Sequence, residues 1–192
     1  MKLVDRREIL DLGAYEQVRE HFRARVIEEK RHRRVVVGPN ISVLFENHDT
    51  VLLQIQERLR TERITRDGAV QHEIETYNDL LGGAGELGAT VMIQIADPAE
   101  RDAFLARAVG IERHLVLTVD GHEVRAKADE ARALEGQASA VIYVKFALPE
   151  AAIVAVRSRT AKVELGVDHP AVSARTELPA DVRASLAEDF AP

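Results

Sequence analysis

Side chains able to bind a metal ion are concentrated between residues 45 and 78. Glu46 ends a β-rich run, and Glu57 lies in a run with helical apolar spacing. His72 and Glu75 follow, three residues apart, in a second such run. Residues three apart on a helix are neighbours, and carboxylate and imidazole ligands suit non-heme iron, manganese or zinc. Together with Glu46 and Glu57, this pair is a candidate site for a divalent metal cofactor.

A structural interpretation of the same residues stays open. The carboxylate-bridged di-iron bundles place a Glu three residues before a His, whereas here the order is reversed and occurs once. His72 also fits an ordinary surface histidine on a solvated helix face, and a half-buried Glu57 would need a structural partner. No GxSxG, P-loop or HExxH motif occurs in the chain, so the sequence leaves open whether it is an enzyme.

Two helices are predicted to carry these side chains. The first covers residues 50–64, with Asp49 as its N-cap. Its apolar positions are Val51, Leu52, Ile55 and Leu59. Leu53 falls on the opposite side, so we expect this helix to be covered on two faces. The second helix is opened by Thr65 and Asp67, and its apolar stripe consists of Val70, Ile74, Tyr77 and Leu81.

An arginine-rich surface is predicted beside these helices. A short helix over residues 5–11 precedes a longer one over 14–30, which ends in the basic run KRHRR, residues 30–34. This run is a candidate patch for a phosphate or an acidic partner. The other arginines expected in it are Arg58, Arg60, Arg63 and Arg66. The alternatives are cations placed favourably at a helix C-terminus and an Arg58–Glu62 ion pair within one helix.

A glycine-rich segment divides the chain by composition. Residues 35–37 and 41–45 flank Gly-Pro-Asn and are predicted to form a β-hairpin in a helix-rich half. GGAGELG, residues 82–88, then precedes a β-rich half. We therefore expect two regions, 1–82 and 83–192, that form either two domains or one continuous domain.

The β-rich half contains a weak internal repeat. Strands at 89–96 and 114–119 enclose a helix that begins at Pro98, and strands at 140–147 and 162–167 enclose one that begins at Pro149. The two second strands end in VDGHE and VDHP, which favours a duplication, with convergent turn sequences as the alternative. His122 and His169 would then occupy related positions, where they could meet and bind a metal or only satisfy local hydrogen bonds.

These elements together predict an α+β fold. A helical N-terminal half with a β-hairpin is followed by a mixed β-sheet or small barrel built from two β-α-β units. A polar loop is expected over residues 129–137. A last helix is expected to begin at Leu178-Pro179 and to pack through Val182, Leu186 and Phe190.

The composition limits the classes of function. The 192 residues carry a net charge of −6, which argues against broad nucleic-acid binding on electrostatic grounds. There are no cysteines, which excludes disulfides, thiolate zinc sites and cysteine-ligated clusters within this chain. The charged N-terminal residues and the lack of a long apolar segment predict a cytoplasmic protein that has no contact with a membrane.

Several phrases resemble one bacterial family. VVVGPNISVLFEN, TVLLQIQERLRTERI, QHEIETYNDLL and VELGVDHP are similar to domain of unknown function 3501. The resemblance extends over almost the whole chain and implies no activity, cofactor or catalytic residue. Genes of this family often lie near those for rubrerythrin-like and iron–sulfur proteins, so the resemblance implies a link to redox or peroxide metabolism.

Three functional hypotheses follow. The first is a cytoplasmic accessory or interaction protein with a protein partner that binds the two central helices. The second is a metal-binding protein or metal-dependent enzyme that uses Glu46, Glu57, His72 and Glu75. The third is a binder of a small anion or nucleic acid through the arginine-rich surface, which the acidic net charge disfavours. The oligomeric state is left open.

Overall fold

The computed structural model describes residues 1–128 and 136–190. These residues form six α-helices and nine β-strands, so the predicted α+β fold is confirmed. The helices are α1 (Leu12–Arg31), α2 (His48–Glu62), α3 (Asp67–Asn78), α4 (Pro98–Arg107), α5 (Glu150–Arg157) and α6 (Ala180–Glu188). The strands are β1 (Arg34–Val37), β2 (Ile41–Phe45), β3 (Glu86–Ile93), β4 (Leu115–Val119), β5 (His122–Arg125), β6 (Lys127–Ala128), β7 (Val141–Ala147), β8 (Val163–His169) and β9 (Val172–Glu177).

The strands form two antiparallel sheets rather than one mixed sheet. The first has the order β1-β2-β3-β7-β6 and the second the order β5-β4-β8-β9. Each predicted β-α-β unit is present, but its helix connects a strand of the first sheet to a strand of the second. The expected parallel pairing is therefore replaced by antiparallel pairing between the two units, β3 with β7 and β4 with β8.

The two units are arranged symmetrically. β4 and β8 lie side by side in the second sheet, and each continues through a hairpin into an outer strand, β5 or β9. This is the arrangement that a twofold axis between the units produces, so the topology agrees with a duplication. The sheets are also joined at both edges, because β5 leads directly into β6 and the Thr176 hydroxyl donates to the Val36 carbonyl at 3.0 Å.

Apolar side chains form two clusters on opposite faces of the first sheet. The inner face packs against the second sheet through residues such as Phe45, Phe146 and Leu165. The outer face is covered by α2 and α3, and this second cluster includes Val51, Ile55, Leu59, Val70 and Ile74. Val51 and Leu53 are both buried although they lie on opposite sides of α2, so the prediction that this helix is covered on two faces is confirmed.

Several predicted boundaries differ from those in the structure. α2 begins at His48, because Asn47 rather than Asp49 is its N-cap: the Asn47 side chain accepts from the Thr50 amide at 3.0 Å, and the Thr50 hydroxyl accepts from the Asn47 amide at 2.9 Å. The helix predicted at 5–11 is a single 3₁₀ turn, Arg6–Glu8. The helix begun by Pro98 ends at Arg107, before Gly110 adopts a positive φ of 85°.

The structure does not test two of the predictions: the loop at 129–137 and the division of the chain at 82–83. Most of the loop predicted at 129–137 lies outside the described residues. The boundary at 82–83 crosses the first sheet, since β2 pairs with β3 from Phe45↔Ala89 to Ile41↔Ile93. None of the helices in the described ranges is both long enough and apolar enough to cross a membrane.

Candidate functional site

Glu46 is a buried carboxylate beneath α2. It follows the last residue of β2, and only 2% of it is exposed. Its oxygens accept hydrogen bonds from the hydroxyls of Thr50 and Thr90, both at 2.5 Å, and from the Gln54 amide at 3.2 Å. A buried charge needs such donors, and these three come from α2 and β3. Glu46 therefore joins a helix to the sheet through polar contacts inside the molecule.

Lys30, in the last turn of α1, lies near enough to Glu46 for the charge of that carboxylate to affect the pKa of its ammonium. Burial lowers the pKa of the Lys30 ammonium. The negative charge of Glu46 opposes this effect, whereas the positive charges of Arg34 and Arg23 add to the lowering of the pKa. Within the described part of the chain, the ammonium has neither a hydrogen-bond acceptor nor a carboxylate at ion-pair distance.

Lys30 belongs to a surface that we call the basic groove, formed by Arg23, Ile27, Lys30, Arg34 and Val36. The first three are spaced i, i+4 and i+7 and so share one flank of α1. Arg34 and Val36 share the outer face of β1, which is exposed, whereas every residue of the neighbouring β2 is buried. Ile27 and Val36 are 39% and 58% exposed. The groove therefore combines cations with accessible apolar side chains.

Most of the other cations of the predicted basic surface form ion pairs within the molecule. Arg33 is fully buried, and its guanidinium donates to the Asp189 carboxylate at 2.5 Å and to the Phe45 carbonyl at 2.8 Å. Burial raises the pKa of Asp189, an effect that Arg33 opposes. The other pairs are Arg31–Glu28, His32–Asp181, Arg60–Glu16 and Arg58–Glu62. The last of these, at 3.0 Å, confirms the ion pair predicted within α2.

Glu57 is a structural acceptor between α1 and α2. The Tyr15 hydroxyl donates to Oε1 at 2.7 Å, and the Arg19 guanidinium donates to both carboxylate oxygens at 2.8 and 2.9 Å. The hydrogen bonds from Arg19 lower the pKa of Glu57 although partial burial opposes this, and the bond from Tyr15 also lowers it. Burial and the neighbouring Glu57 raise the pKa of Tyr15. Both oxygens of the Glu57 carboxylate therefore accept hydrogen bonds from side chains of α1.

The structure does not bring the four predicted metal ligands together. His72 and Glu75 are exposed on α3, and Glu75 accepts a hydrogen bond from Gln71 at 3.0 Å. Glu46 and Glu57 are hydrogen-bonded as described above. Over residues 1–128 and 136–190, no three His, Asp or Glu side chains are grouped closely enough to hold a metal ion. The metal site stays a prediction, which elemental analysis of the wild type, His72→Ala and Glu57→Ala tests.

His122 and His169 lie at opposite ends of the second sheet. His122 is beside Val119, which pairs with Val163 at the start of β8, whereas His169 is the last residue of that strand. The His169 ring instead contacts the His114 ring edge-on, with centroids 4.8 Å apart. Its Nδ1 accepts from the Ala171 amide at 3.1 Å, so it has a local hydrogen-bonding role. The antiparallel pairing of β4 and β8 is the reason that these turns do not meet.

Sequence reasoning included Lys30 in the basic run but missed Arg23 as its neighbour. The i, i+7 spacing of Arg23 and Lys30 was a signal for one helix flank. The position of Arg34 beside them depends on how α1 packs on the sheet, which no local pattern specifies.

Comparisons with known proteins agree with this fold. A crystal structure at 1.90 Å of a protein of unknown function from Burkholderia pseudomallei K96243 superposes with a TM-score of 0.93. It is 35% identical in sequence, and the similarity covers 99% of this chain and 100% of that one. None of the curated proteins compared with the chain matches it. The model of a family described as "Protein of unknown function (DUF3501)" matches residues 3–190. The chain therefore belongs to the DUF3501 family.

Proposed function

We propose that this protein is a cytoplasmic accessory protein that binds an acidic segment of a protein partner in the basic groove. The observation that supports this is the grouping of Arg23, Lys30 and Arg34: the charges of both arginines act on Lys30. Among the described residues, none of the three cations forms an ion pair with a carboxylate. Like charges held together repel each other, and an acidic partner would relieve that repulsion. Opposite charges across an interface also increase association rates and select partners.

The apolar side chains of the groove favour a protein as the partner. Ile27 and Val36 are exposed beside the three cations. Protein interfaces combine buried apolar contacts with charged residues at their edge, and Arg is enriched in them. The groove replaces the surface of the central helices as the proposed contact, because it combines cations that have no ion pair among the described residues with exposed apolar side chains. Of the two central helices, α2 is covered on both sides. The link to redox or peroxide metabolism stays a prediction, which the identity of the partner would test.

A charge-matched pair of variants tests the groove. The first carries Arg23→Gln, Lys30→Gln and Arg34→Gln. The control carries Arg66→Gln, Arg107→Gln and Arg157→Gln, which removes the same charge from exposed positions elsewhere. Binding of a fluorescent glutamate-rich peptide, measured by anisotropy, should weaken about tenfold or more in the first variant and little in the control. Equal weakening in both variants would show that only the net charge of the chain matters.

Site-specific cross-linking tests whether a native partner occupies the groove. A photoreactive amino acid at Val36 should capture the partner in cells of the source organism, whereas one at Val154 should not. Val154 is a matched control because it is a valine of similar exposure, 55%, on α5. The product should disappear when the three groove cations are replaced. The same adduct at both positions, or an adduct that survives the replacements, would contradict the proposal.

A further inference from the structure

A cleft lies at the opposite edge of the first sheet from the basic groove. Its volume is about 370 Å³, which is within the range of small-molecule sites. It is lined by Asp79, Leu80, Glu86, Lys127, Ala128, Tyr143, Val144 and Lys145. The segment after α3 forms one wall, and the edge strand β6 forms the other.

Two lysines lie side by side in this cleft. Lys127 of β6 and Lys145 of β7 are direct partners in the antiparallel pairing. Side chains in such positions have Cβ atoms about 5 Å apart, and like charges there are destabilising. Within residues 1–128 and 136–190, neither ammonium has a hydrogen bond or a carboxylate at ion-pair distance. Two ammonium groups that share a concave surface and form no ion pair with a described carboxylate can attract an anionic group.

Two carboxylates lie in the same cleft. Asp79 caps the end of α3, and its side chain has no hydrogen bond or ion pair within the described ranges. Glu86 accepts from the Gly83 amide at 3.1 Å. Gly88 is the direct partner of Lys145, so Glu86 is its diagonal neighbour on the same face. Among the described residues that line the cleft, the charged groups are therefore two ammonium groups and two carboxylates.

The wall of the cleft is positioned by a close backbone contact. A Cβ atom on Gly88 would lie 2.0 Å from the Leu80 carbonyl oxygen, so only glycine lets the segment after α3 lie against β3 here. A Cβ atom on Gly82 would lie 2.3 Å from the Glu86 carbonyl oxygen. These contacts hold Asp79 and Leu80 above the strand that carries Glu86. Two glycines of the glycine-rich segment, residues 82–88, thus shape the cleft.

We propose that the cleft binds a small zwitterion. Its carboxylate or phosphate group lies between Lys127 and Lys145, and its amino group faces Asp79 and Glu86. A simple anion would be attracted by the lysines but repelled by the two carboxylates, whereas a molecule with both charges matches both sets. The Tyr143 ring and the Leu80 side chain supply the apolar surface for its carbon atoms. This site is independent of the partner surface proposed above.

The test uses defined probes on the full chain. The standard amino acids, γ-aminobutyrate and O-phosphoethanolamine are screened by thermal shift, and each probe that raises Tm is measured by calorimetry. Its N-acetyl derivative lacks the positive charge. The amide of an amino acid lacks the negative charge, and so does the dimethyl phosphotriester of O-phosphoethanolamine. We expect at least one zwitterion to bind and both of its derivatives to lose about tenfold or more in affinity. No binding by any probe, or equal binding by a derivative, would overturn the proposal.

Substitutions of the residues that line the cleft test whether the zwitterion binds there. Lys127→Gln, Lys145→Gln and Asp79→Asn should each weaken the zwitterion about tenfold. Lys162→Gln is the matched control, because Lys162 pairs with Glu164 in the other sheet. Without ligand, Lys127→Gln should raise Tm, since it removes a like-charge repulsion. Unchanged affinity in the cleft variants, or a lower Tm for Lys127→Gln, would show that these lysines do not form an anion site.

Discussion

The Glu57 carboxylate is expected to stabilise the contact between α1 and α2 in a pH-dependent way. In Glu57→Gln the Tyr15 hydroxyl keeps an acceptor, but the charge-assisted bonds from Arg19 are lost. The free energy of unfolding at pH 7 should fall by about 1.5–3 kcal/mol, which is the usual range for hydrogen bonds to charged groups.

The pH dependence of this difference follows from the pKa. The folded-state pKa of Glu57 lies below the ordinary value of 4.5, so its contribution is present above pH 4.5 and lost as the pH falls through the folded-state pKa. Denaturant unfolding of both proteins from pH 7 down to 3 should therefore show a difference that narrows only below pH 4.5. A constant difference over this range would mean that the charge of Glu57 is not responsible.

Arg33 is paired with Asp189, a carboxylate whose pKa is shifted in the opposite direction to that of Glu57. Arg33→Met leaves the buried Asp189 carboxylate without its cation and leaves the Phe45 and Glu46 carbonyls without a donor. Breaking such a buried pair costs about 3–5 kcal/mol. Burial already raises the pKa of Asp189, and loss of Arg33 removes a lowering influence, so the pKa should rise further.

The loss of stability in Arg33→Met should consequently be largest at neutral pH and smaller in mild acid, where Asp189 becomes protonated. Denaturant unfolding at pH 7 and pH 5 measures this, and Arg33→Met/Asp189→Asn is the control. The double variant should be more stable than Arg33→Met at pH 7 and show little change between the two pH values. A double variant no more stable than the single one would contradict an uncompensated charge as the cause.

Residue-level patterns predicted some contacts and not others, for a physical reason. The Arg58–Glu62 pair lies within one helix, so the spacing of the residues determines it. Glu57 bonds Tyr15 and Arg19, and Arg33 bonds Asp189, across 38 residues or more, so these contacts depend on how elements pack. The candidate metal ligands were selected by chemical type, and the same chemistry makes carboxylates good partners for arginine and hydroxyl groups.

At the scale of elements, the crossing of the segment after α3 over β3 gives a prediction with a matched control. Gly88→Ala would place a Cβ atom 2.0 Å from the Leu80 carbonyl oxygen, so the backbone must shift. We expect a loss of about 1–3 kcal/mol or more in the free energy of unfolding. Gly68→Ala in the first turn of α3 meets no atom within 4 Å and should gain up to about 1 kcal/mol from helix propensity.

Thermal and denaturant unfolding of the two glycine variants measures both changes. The zwitterion proposed for the cleft should also bind less tightly to Gly88→Ala, since the wall that carries Asp79 moves. Equal stability of the two variants would mean that the segment adjusts at no cost and that Gly88 does not position the wall.

The sequence predicted the elements themselves better than their arrangement. The hairpin, α2, α3 and the proline-initiated helices were identified because their signals are local: apolar period, turn residues and caps. The assignment of the strands to two antiparallel sheets was missed, because strand pairing joins residues far apart in the chain. The prediction of N-caps was less reliable. Asn47 and Asp49 are both good capping residues, and only the reciprocal hydrogen bonds with Thr50 select Asn47.

At the scale of the whole molecule, the repeat explains why the β-rich half alone forms most of both sheets. β3 and β7 are neighbours at the centre of one sheet, and β4 and β8 are neighbours in the other. The hairpin β1-β2 adds only to the β3 edge of the first sheet, and α2 and α3 then cover that sheet's outer face. The N-terminal region thus extends the sheet built by the repeat and contributes to its core.

This arrangement predicts that the chain unfolds as one unit. Val43 and Phe45 of β2 lie in the same apolar cluster as Val91 of β3 and Phe146 of β7, and the Phe45 and Phe146 rings are 6.2 Å apart. A fragment of residues 83–192 would expose the β3 edge and part of this cluster to water, and a fragment of 1–82 would leave its hairpin without a sheet. We therefore expect neither fragment to fold alone, and mixing them to restore the native circular dichroism spectrum.

Calorimetry of the intact chain should give one transition whose calorimetric and van't Hoff enthalpies agree, as for a cooperative unit. Phe45→Ala tests the same coupling in the intact chain, because it removes a ring that packs between the two regions. The variant should lower the free energy of unfolding of the whole chain by about 3–5 kcal/mol without producing a second transition. Two separate transitions, or a well-dispersed NMR spectrum from residues 83–192 alone, would instead establish two domains with a boundary in the glycine-rich segment.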